Sequence, residues 1–286
     1  MATLRDIRRR IDSVRNTMQI TNAMKMVSTA KLNRAQTAVR AAQPYAEQLR
    51  AMVTSIAGGL TGEDHPLFAQ SESTKTLVVL FTSDRGLCGA FNAGLNKHLL
   101  RQLVGGEITD PEMIVLGRQG NGFFRRRGYN ISRAVLNVVD AERTATVREI
   151  VDEVRQRFMD GEVGRVMLAY NHFNSAISQD PRVVQLLPIV PPSDGAAAAE
   201  DTRETIFEPS RAGVLDQLLP NYLANQCFLA QLNTDAGEQG ARMVAMDGAT
   251  RNAGEMIKRL TLQMNKARQA AITKELIEIV NGAQAL

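Results

Sequence analysis

The sequence contains no tryptophan, and aromatic residues make up only 5% of its 286 positions. None of these aromatics falls within residues 2–44 or 229–286. Large aromatic side chains supply much of the buried area of a globular core. Their absence from both ends of the chain favours a thin helical rod there, because alanine and aliphatic side chains suffice to fill a narrow interior.

Cysteine and long apolar runs are also scarce. Cys88 and Cys227 are too far apart for metal-ligand spacing and too few for a disulfide framework, which indicates a reducing, cytoplasmic setting. No apolar run approaches the about 20 residues that span a bilayer. The Arg-rich start lacks the apolar segment of a signal peptide, so we expect the folded protein to begin at once.

Positive charge is concentrated towards the N-terminus. Residues 1–60 hold ten Lys or Arg and three acidic residues, whereas the whole chain has a net charge of +4. Such asymmetry predicts that this end meets an acidic partner, with a solvated basic helix face as the alternative.

Residues 2–57 have the apolar spacing of one long helix. Intervals of three and four residues, typical of a coiled-coil seam, separate Leu4, Ile7, Ile11, Val14 and Met18. The pattern then predicts a shift of the seam to Ile20, Met24 and Val27. We expect Pro44 to bend this helix without ending it.

A second long helix is predicted from about Ser210 to Ala283. Its apolar intervals mix threes and fours, which indicates a loose supercoil through Ala253, Met256, Leu260, Met264, Ala267 and Ala271. Paired antiparallel with the first helix, it would overhang that helix by about 25 Å. The overhang contains apolar residues that need cover from another chain: Ile272, Leu276, Ile279 and Val280.

Between the two helices, apolar runs alternate with helical stretches. Strands are predicted at Thr76–Thr82, Met113–Gly117, Arg165–Phe173 and Val183–Val190. Helices are predicted near 90–104, 118–127 and 141–159, and a loop at Pro191–Ala199. This alternation predicts a largely parallel sheet.

The expected fold class is therefore α/β, with a long antiparallel coiled coil of N- and C-terminal helices plus a small central Rossmann-like α/β domain. The predicted limits are 1–60 for the N-terminal coiled-coil helix, 61–208 for the α/β domain and 209–286 for the C-terminal coiled-coil helix.

The sequence contains no recognisable motif for catalysis or cofactor binding. Gly86 and Gly89 follow the first predicted strand, but the Lys and Ser/Thr of a phosphate-binding loop do not follow them. These glycines then serve a tight turn, with Cys88 as a core thiol. The three histidines share no metal-ligand spacing. We expect no catalytic residue, cofactor or metal, and no ATP binding by the isolated chain.

Three blocks of sequence resemble the ATP synthase gamma family, and the likeness covers essentially the whole chain. They are IRRRIDSVRNTMQITNAMKMVSTAKLNRAQ at Ile7–Gln36, TSDRGLCGAFN at Thr82–Asn92, and Ala241–Ala285, which ends in ITKELIEIVNGAQA. The resemblance implies a non-catalytic rotor shaft of an H+-translocating ATP synthase, turning inside a ring of alternating alpha and beta subunits. The α/β domain at its foot would meet the epsilon subunit and the membrane c-ring. The implied location is the cytoplasmic face of the bacterial inner membrane, as a peripheral subunit.

The resemblance also implies contacts with the beta subunit, where the ATP chemistry takes place. The residues in the positions that face acidic lever loops are Met24, Lys25 and Met26. Those in the positions that face catch loops are Arg268, Gln269, Thr273, Glu275 and Glu278. Pro220 departs from the family pattern and leaves the start of the C-terminal helix in doubt. The cysteine pair of plant plastid members is missing, so thiol switching is not expected.

Two other functions stay open at this point. A basic coiled-coil adaptor would bind nucleic acid with an affinity that falls steeply with salt. The run Arg125–Arg127, next to Phe123 and Phe124, could contact RNA, although an exposed turn before the next strand is favoured and we expect no nucleic-acid partner. An α/β enzyme with helical extensions is the second alternative, and it lacks a motif.

Overall fold

The computed structural model describes residues 4–57, 65–139, 142–190 and 211–284. The chain divides into two compact units, the first made of residues 1–29 and 242–286 and the second of residues 30–241. The domain limits predicted at residues 60 and 208, and the loop predicted at 191–199, lie outside the described residues and stay predictions.

Two long helices, α1 (Leu4–Ala57) and α5 (Arg211–Gln284), contribute to both units. Each contains an internal proline, Pro44 in α1 and Pro220 in α5. Such a proline removes a backbone hydrogen bond and costs about 3 kcal/mol, which the burial of neighbouring apolar side chains such as Leu219 offsets. Helical continuation through Pro44 is thus confirmed, and Pro220 does not delay the start of α5. Among the described residues, no helix is apolar over enough length to cross a membrane.

Buried and half-buried residues recur along α1 at strict intervals of four and three. In the first unit this seam is formed by Ile7, Ile11, Val14, Met18, Thr21, Lys25 and Ser28. The predicted shift to Ile20 and Val27 is wrong, because these side chains are 61% and 57% exposed. The seam keeps its position on the helix and becomes polar instead.

The facing seam on α5 is equally regular. It is formed by Met246, Thr250, Ala253, Ile257, Leu260, Met264, Ala267 and Ala271. Ile257 takes the place predicted for Met256, which is 51% exposed. The resulting repeat averages 3.5 residues, as in a left-handed coiled coil, so the looser spacing predicted through Met256 is wrong.

The second unit contains a five-stranded sheet in the order β3-β2-β1-β4-β5. The strands are β1 (Thr76–Phe81), β2 (Pro111–Leu116), β3 (Asn130–Val135), β4 (Arg165–Phe173) and β5 (Gln179–Leu187). The first four are parallel and β5 runs antiparallel to β4, which confirms the largely parallel sheet. Only β3 was not predicted, because an edge strand with the sequence NISRAV alternates half-buried and exposed residues and lacks an apolar run.

Helices cover both faces of this sheet, namely α2 (Phe91–Val104), α3 (Arg118–Arg125) and α4 (Arg143–Met159). Side chains of β1 alternate between the two faces. Val78 and Leu80 join a cluster with Leu95 of α2, whereas Leu77 and Val79 join a larger cluster that includes residues of α4, α1 and α5. Burial on both faces explains why β1 is a continuous apolar run.

Two glycines of α5 allow close packing inside the second unit. A Cβ atom at Gly237 would lie 2.7 Å from Cε2 of Phe91, and one at Gly240 would lie 3.0 Å from Cα of Ala176. By contrast, nothing lies within 4 Å of a Cβ placed at Gly248. The first two glycines therefore allow α2 and the β4–β5 connection to pack closely against α5. They do not serve contact with the other long helix.

This contrast predicts opposite effects of one substitution on the same helix. Gly248→Ala should raise the free energy of unfolding by up to about 1 kcal/mol, because alanine favours the helix and meets open space. Gly237→Ala gains the same helix propensity but overpacks Phe91, at a cost of about 1–3 kcal/mol. Thermal unfolding of the two variants and the parent, followed by circular dichroism, checks the order. Equal shifts in Tm would show that Phe91 yields freely.

Candidate partner-binding surface

The two long helices pair antiparallel in the first unit, as predicted. The Oγ1 atoms of Thr21 and Thr250 lie 2.8 Å apart, and Lys25 Nζ lies 2.7 Å from Asp247 Oδ1. A Cβ atom at Gly254 would lie 3.9 Å from Sδ of Met18. Residue numbers thus fall on α5 as they rise on α1.

Continuing this register places residue 268 opposite Leu4, the first described residue of α1. The segment Gln269–Gln284 then extends α5 by roughly 24 Å, with no facing partner in the described part of α1. This length agrees with the predicted overhang.

The middle of the seam is held by polar contacts. Thr21 Oγ1 is also 3.1 Å from the carbonyl oxygen of Met18, and Thr250 Oγ1 is 2.8 Å from that of Met246. One hydroxyl can therefore donate across the seam while the other donates to its own helix. The hydrogen bond from Lys25 holds the pKa of Asp247 below its usual range. Arg251, one turn further along α5, adds a second cation 3.2 Å from Asp247 Oδ2.

The predicted contact residues on α1 differ in their surroundings. Met26 is 63% exposed, Met24 is half-buried, and the ammonium of Lys25 is already paired with Asp247. Met24 lies between exposed Ile20 and Val27 at helical spacing. These three residues, Ile20, Met24 and Val27, form an apolar outer stripe beside the seam.

Asp247 and Thr250 were missed by the sequence reasoning. A signal existed: if the intervals of four and three are continued past Met18, they lead to Thr21 and Lys25 and not to Ile20. Two polar seam positions on one helix call for polar partners on the facing stretch of the other. Following apolar character instead of spacing hid this match.

The predicted contact residues on α5 lie near or beyond the end of the paired region. Arg268, Gln269 and Thr273 are exposed, and the Thr273 hydroxyl donates to the carbonyl oxygen of Gln269 at 2.9 Å. Glu275 and Glu278 belong to the same helix, but their side chains lie outside the described set. Since Met24 is opposite the region of Gly248, about 30 Å from Arg268 along α5, the structure does not bring the two predicted groups together.

The segment after β1 forms a braced turn. Gly89 has φ +58°, a left-handed conformation that favours glycine. Asn92 accepts from the backbone N–H of Ser83 at 3.0 Å and donates to its hydroxyl at 2.7 Å. Cys88 is buried. These contacts confirm the predicted tight turn and core thiol.

A cavity of about 40 Å³ lies at the carboxyl ends of β1, β2 and β3. Open α/β sheets bind ligands at such an edge, but small-molecule pockets typically measure roughly 300–1,000 Å³. Arg143 Nη1, which lies 2.6 Å from Asp235 Oδ2, and Gln231, which donates to Asp235 Oδ1 at 3.0 Å, line it. Burial raises the pKa of Asp235 to about 6 despite the ion pair, and nearby Glu238 adds to the rise.

Other chemically active groups are equally confined. Burial raises the pKa of the Cys227 thiol to about 12, so this thiol is unreactive at neutral pH. Within the described ranges, no three His, Cys, Asp or Glu side chains are grouped to hold a metal ion. Arg125, Arg126 and Arg127 form the exposed end of α3 and the following turn, where Arg127 stacks 3.6 Å above Phe123. This agrees with the favoured interpretation of that run as a turn before the next strand.

Comparison with known proteins identifies a family whose members match this chain over its whole length. A family model described as ATP synthase matches residues 3–286. Curated ATP synthase gamma chains from Pelotomaculum thermopropionicum and an Anaeromyxobacter species are 45% and 47% identical over 286 and 294 residues. In both cases all of this chain and all of the relative are covered. The chain belongs to the ATP synthase gamma chain family.

Solved structures share the fold of this gamma-family chain. A chain of the Euglena gracilis mitochondrial ATP synthase, from a structure titled OSCP/F1/c-ring, has a TM-score of 0.68 at 21% identity, with 99% of this chain and 94% of that chain covered. A chain from the Tetrahymena thermophila mitochondrial ATP synthase, from a structure titled central stalk/cring, has a TM-score of 0.60 at 24% identity. The match covers 80% of this chain and 99% of that chain.

Family membership decides between the functions left open by the sequence. Gamma chains are non-catalytic subunits of the ATP synthase, whose catalysis takes place on the beta subunits. The comparisons give no support to a nucleic-acid adaptor. The α/β enzyme is likewise wrong for a gamma chain.

The elevated pKa of Asp235 predicts a pH effect on stability. The folded chain holds this proton up to about pH 6, whereas the unfolded chain releases it near pH 4. Ionisation therefore lowers stability as the pH rises from about 4 to about 6, by up to about 3 kcal/mol. Asp235→Asn should remove this pH-dependent loss of stability. The free energy of unfolding of the variant should therefore rise relative to that of the parent as the pH increases across that range. Urea unfolding at successive pH values checks this, and parallel profiles would contradict it.

Proposed function

We propose that this chain is the rotating central stalk of an H+-translocating ATP synthase. It couples proton flow through a membrane c-ring to ATP synthesis and hydrolysis on the beta subunits, at the cytoplasmic face of the bacterial inner membrane. The partners are the alpha and beta subunits of the catalytic head, the epsilon subunit and the c-ring. The sheet domain forms the foot that meets the last two.

The exposed apolar end of α5 carries this proposal. Beyond the paired region, five aliphatic side chains are between 50% and 67% exposed: Ile272, Leu276, Ile277, Ile279 and Val280. At 100° per residue they cover about half of the helix circumference. A contiguous apolar surface of this kind marks a site of association. An apolar face of this width at the end of a helix suits a concave, enclosing partner such as the alpha–beta ring.

The outer stripe supports a second contact with the beta subunit. Residues 1–60 carry seven more positive than negative charges, which suits an acidic loop. Ile20, Met24 and Val27 present an uncharged strip within that positive region, and methionine adapts its shape to a moving neighbour. We assign Met24, Lys25 and Met26 to the lever loops, and Arg268, Gln269, Thr273, Glu275 and Glu278 to the catch loops.

Association of the α5 end with the head can be tested by one charge. Val280→Asp should weaken binding of the chain to an isolated alpha–beta head by roughly tenfold or more, because burial of a valine side chain stabilises by about 1.5–3 kcal/mol. Binding is measured by titration of the labelled chain with the head. Val104→Asp, at a 76% exposed position on α2, is the matched control and should bind normally. Equal binding by both variants would refute burial of the α5 end in the alpha–beta head.

Coupling should respond to a charge in the outer stripe. Met24→Lys places an ammonium where the acidic lever loop passes, and it would form ion pairs in some rotor positions and not in others. Even an exposed ion pair, worth about 0.2–1 kcal/mol, would stabilise some rotor positions relative to others and so raise a barrier in the rotation cycle. We expect proton pumping to fall relative to ATP hydrolysis. The free energy of unfolding should change by no more than about 0.5 kcal/mol, so Tm should stay nearly the same.

Met24→Gln provides the matched neutral control, measured in the same assembled complex. It should pump normally, since it changes polarity without adding charge. Normal coupling in Met24→Lys, or unfolding of that variant, would show that Met24 is idle surface or packing.

A further inference from the structure

The central part of the first unit buries its polar face and exposes its apolar one. On α1, Thr21, Lys25 and Ser28 occupy the seam, while Ile20 and Val27 are more than half exposed. Within residues 20–28, hydrophobic burial alone favours the opposite choice, because a rotation of about 100° would bring the outer stripe towards α5. Ile7 and Ile11 hold the observed face inward earlier on α1. Where the seam becomes polar, some other interaction is needed to keep that face inward.

The partners on α5 supply that interaction. Thr250 and Asp247 meet Thr21 and Lys25 at 2.8 and 2.7 Å. If the outer stripe turned inward, Asp247 would face an aliphatic side chain and lose its hydrogen bond from Lys25, at a cost in desolvation. Arg251, on the same helix, lies 3.2 Å from the other oxygen of Asp247.

We infer that Lys25 and Asp247 are positioning residues, which select the polar face of α1 for the seam and so keep the outer stripe facing outward. Polar seam residues elsewhere specify one arrangement at a cost in stability. Lys25 then belongs to the proposed lever-loop contact through its neighbour Met24, whose orientation it fixes, and not through its own ammonium, which is paired with Asp247. This effect on the partner rests on the proposed function, whereas the choice of face does not.

Cysteine labelling of the full-length chain reads the choice of face directly. Val27 is 57% exposed and Ser28 is 2% exposed, although they are adjacent. Val27→Cys should react rapidly with a maleimide and Ser28→Cys slowly. The native Cys88 and Cys227 are buried, and a chain without an introduced cysteine gives their background.

Charge variants then test the role of the pair. Lys25→Glu places two carboxylates face to face, and we expect the Val27-to-Ser28 labelling ratio to fall by about fivefold, the size expected for an ion pair of this exposure. The swapped variant, Lys25→Glu with Asp247→Lys, should restore the parental ratio. Arg15→Glu is the matched control: it breaks an ion pair with Asp12 inside the same helix and should leave the ratio unchanged.

Two labelling results would overturn the inference. An unchanged ratio in Lys25→Glu would show that the pair does not select the face. Gain of Ser28→Cys reactivity with no loss at Val27→Cys would show that the pair only holds the helices together. Circular dichroism of each variant confirms that the chain is folded, and the swapped variant separates loss of the pair from loss of the fold.

Proton pumping in the assembled complex tests the link to function separately. Lys25→Glu should reduce pumping relative to ATP hydrolysis, and the swap should restore it. If labelling behaves as expected but pumping never changes, the proposed contact of the outer stripe fails while the choice of face stands. If the swap restores labelling but not pumping, Lys25 contacts the partner directly, and its indirect action is refuted.

Discussion

The 3.5-residue repeat that pairs α1 with α5 constrains the first unit more than any single contact. The repeat continues without interruption into residues 21–28, where the side chains that it encloses are polar and have polar partners on α5. Enclosing Thr21, Lys25 and Ser28 leaves Ile20 and Val27 outside. The exposed apolar character of this unit is thus a consequence of seam geometry together with the polar partners on α5.

The second unit is stabilised differently. Its larger core cluster combines side chains of the sheet and of the helices on one of its faces, including Val53 of α1, Phe81 of β1 and Leu219 of α5, each at most 1% exposed. Full burial of large aliphatic side chains is worth about 1.5–3 kcal/mol each. The contacts of Lys25 with Asp247 are partly solvated and worth much less. We therefore expect local opening to be easier in the first unit than in the second.

Much of this architecture could be predicted from the sequence, and two of the failures share one cause. The strands of the sheet interior were found because burial on both faces leaves an uninterrupted apolar run, as in β1. The edge strand β3 escaped because its only inward charged residue, Arg133, replaces apolar packing with ion pairs to Glu149 and Glu153 of α4 at 3.1 and 2.7 Å. The polar seam escaped for the same reason, since its partners are more than 200 residues apart. Apolar periodicity reports burial, but it is silent where pairing between distant polar groups replaces hydrophobic contact.

The sheet domain shows how a Rossmann-like order of strands can serve without chemistry. The carboxyl edge, where such sheets hold ligands, is closed here by α5 and by the ion pair of Arg143 with Asp235, which leaves about 40 Å³. The ion pair joins the long helix to the start of α4, which covers one face of the sheet. If the sheet domain is the foot of the rotor, as proposed above, torque passes through it, and a stiff attachment at this point matters more than a binding site. The C-terminal end of the same helix needs weak contacts in place of a stiff attachment, since one deep energy minimum would stop rotation. Dispersed aliphatic side chains on a slender helix give many shallow contacts instead, and no single one of them is strong enough to hold the shaft in place.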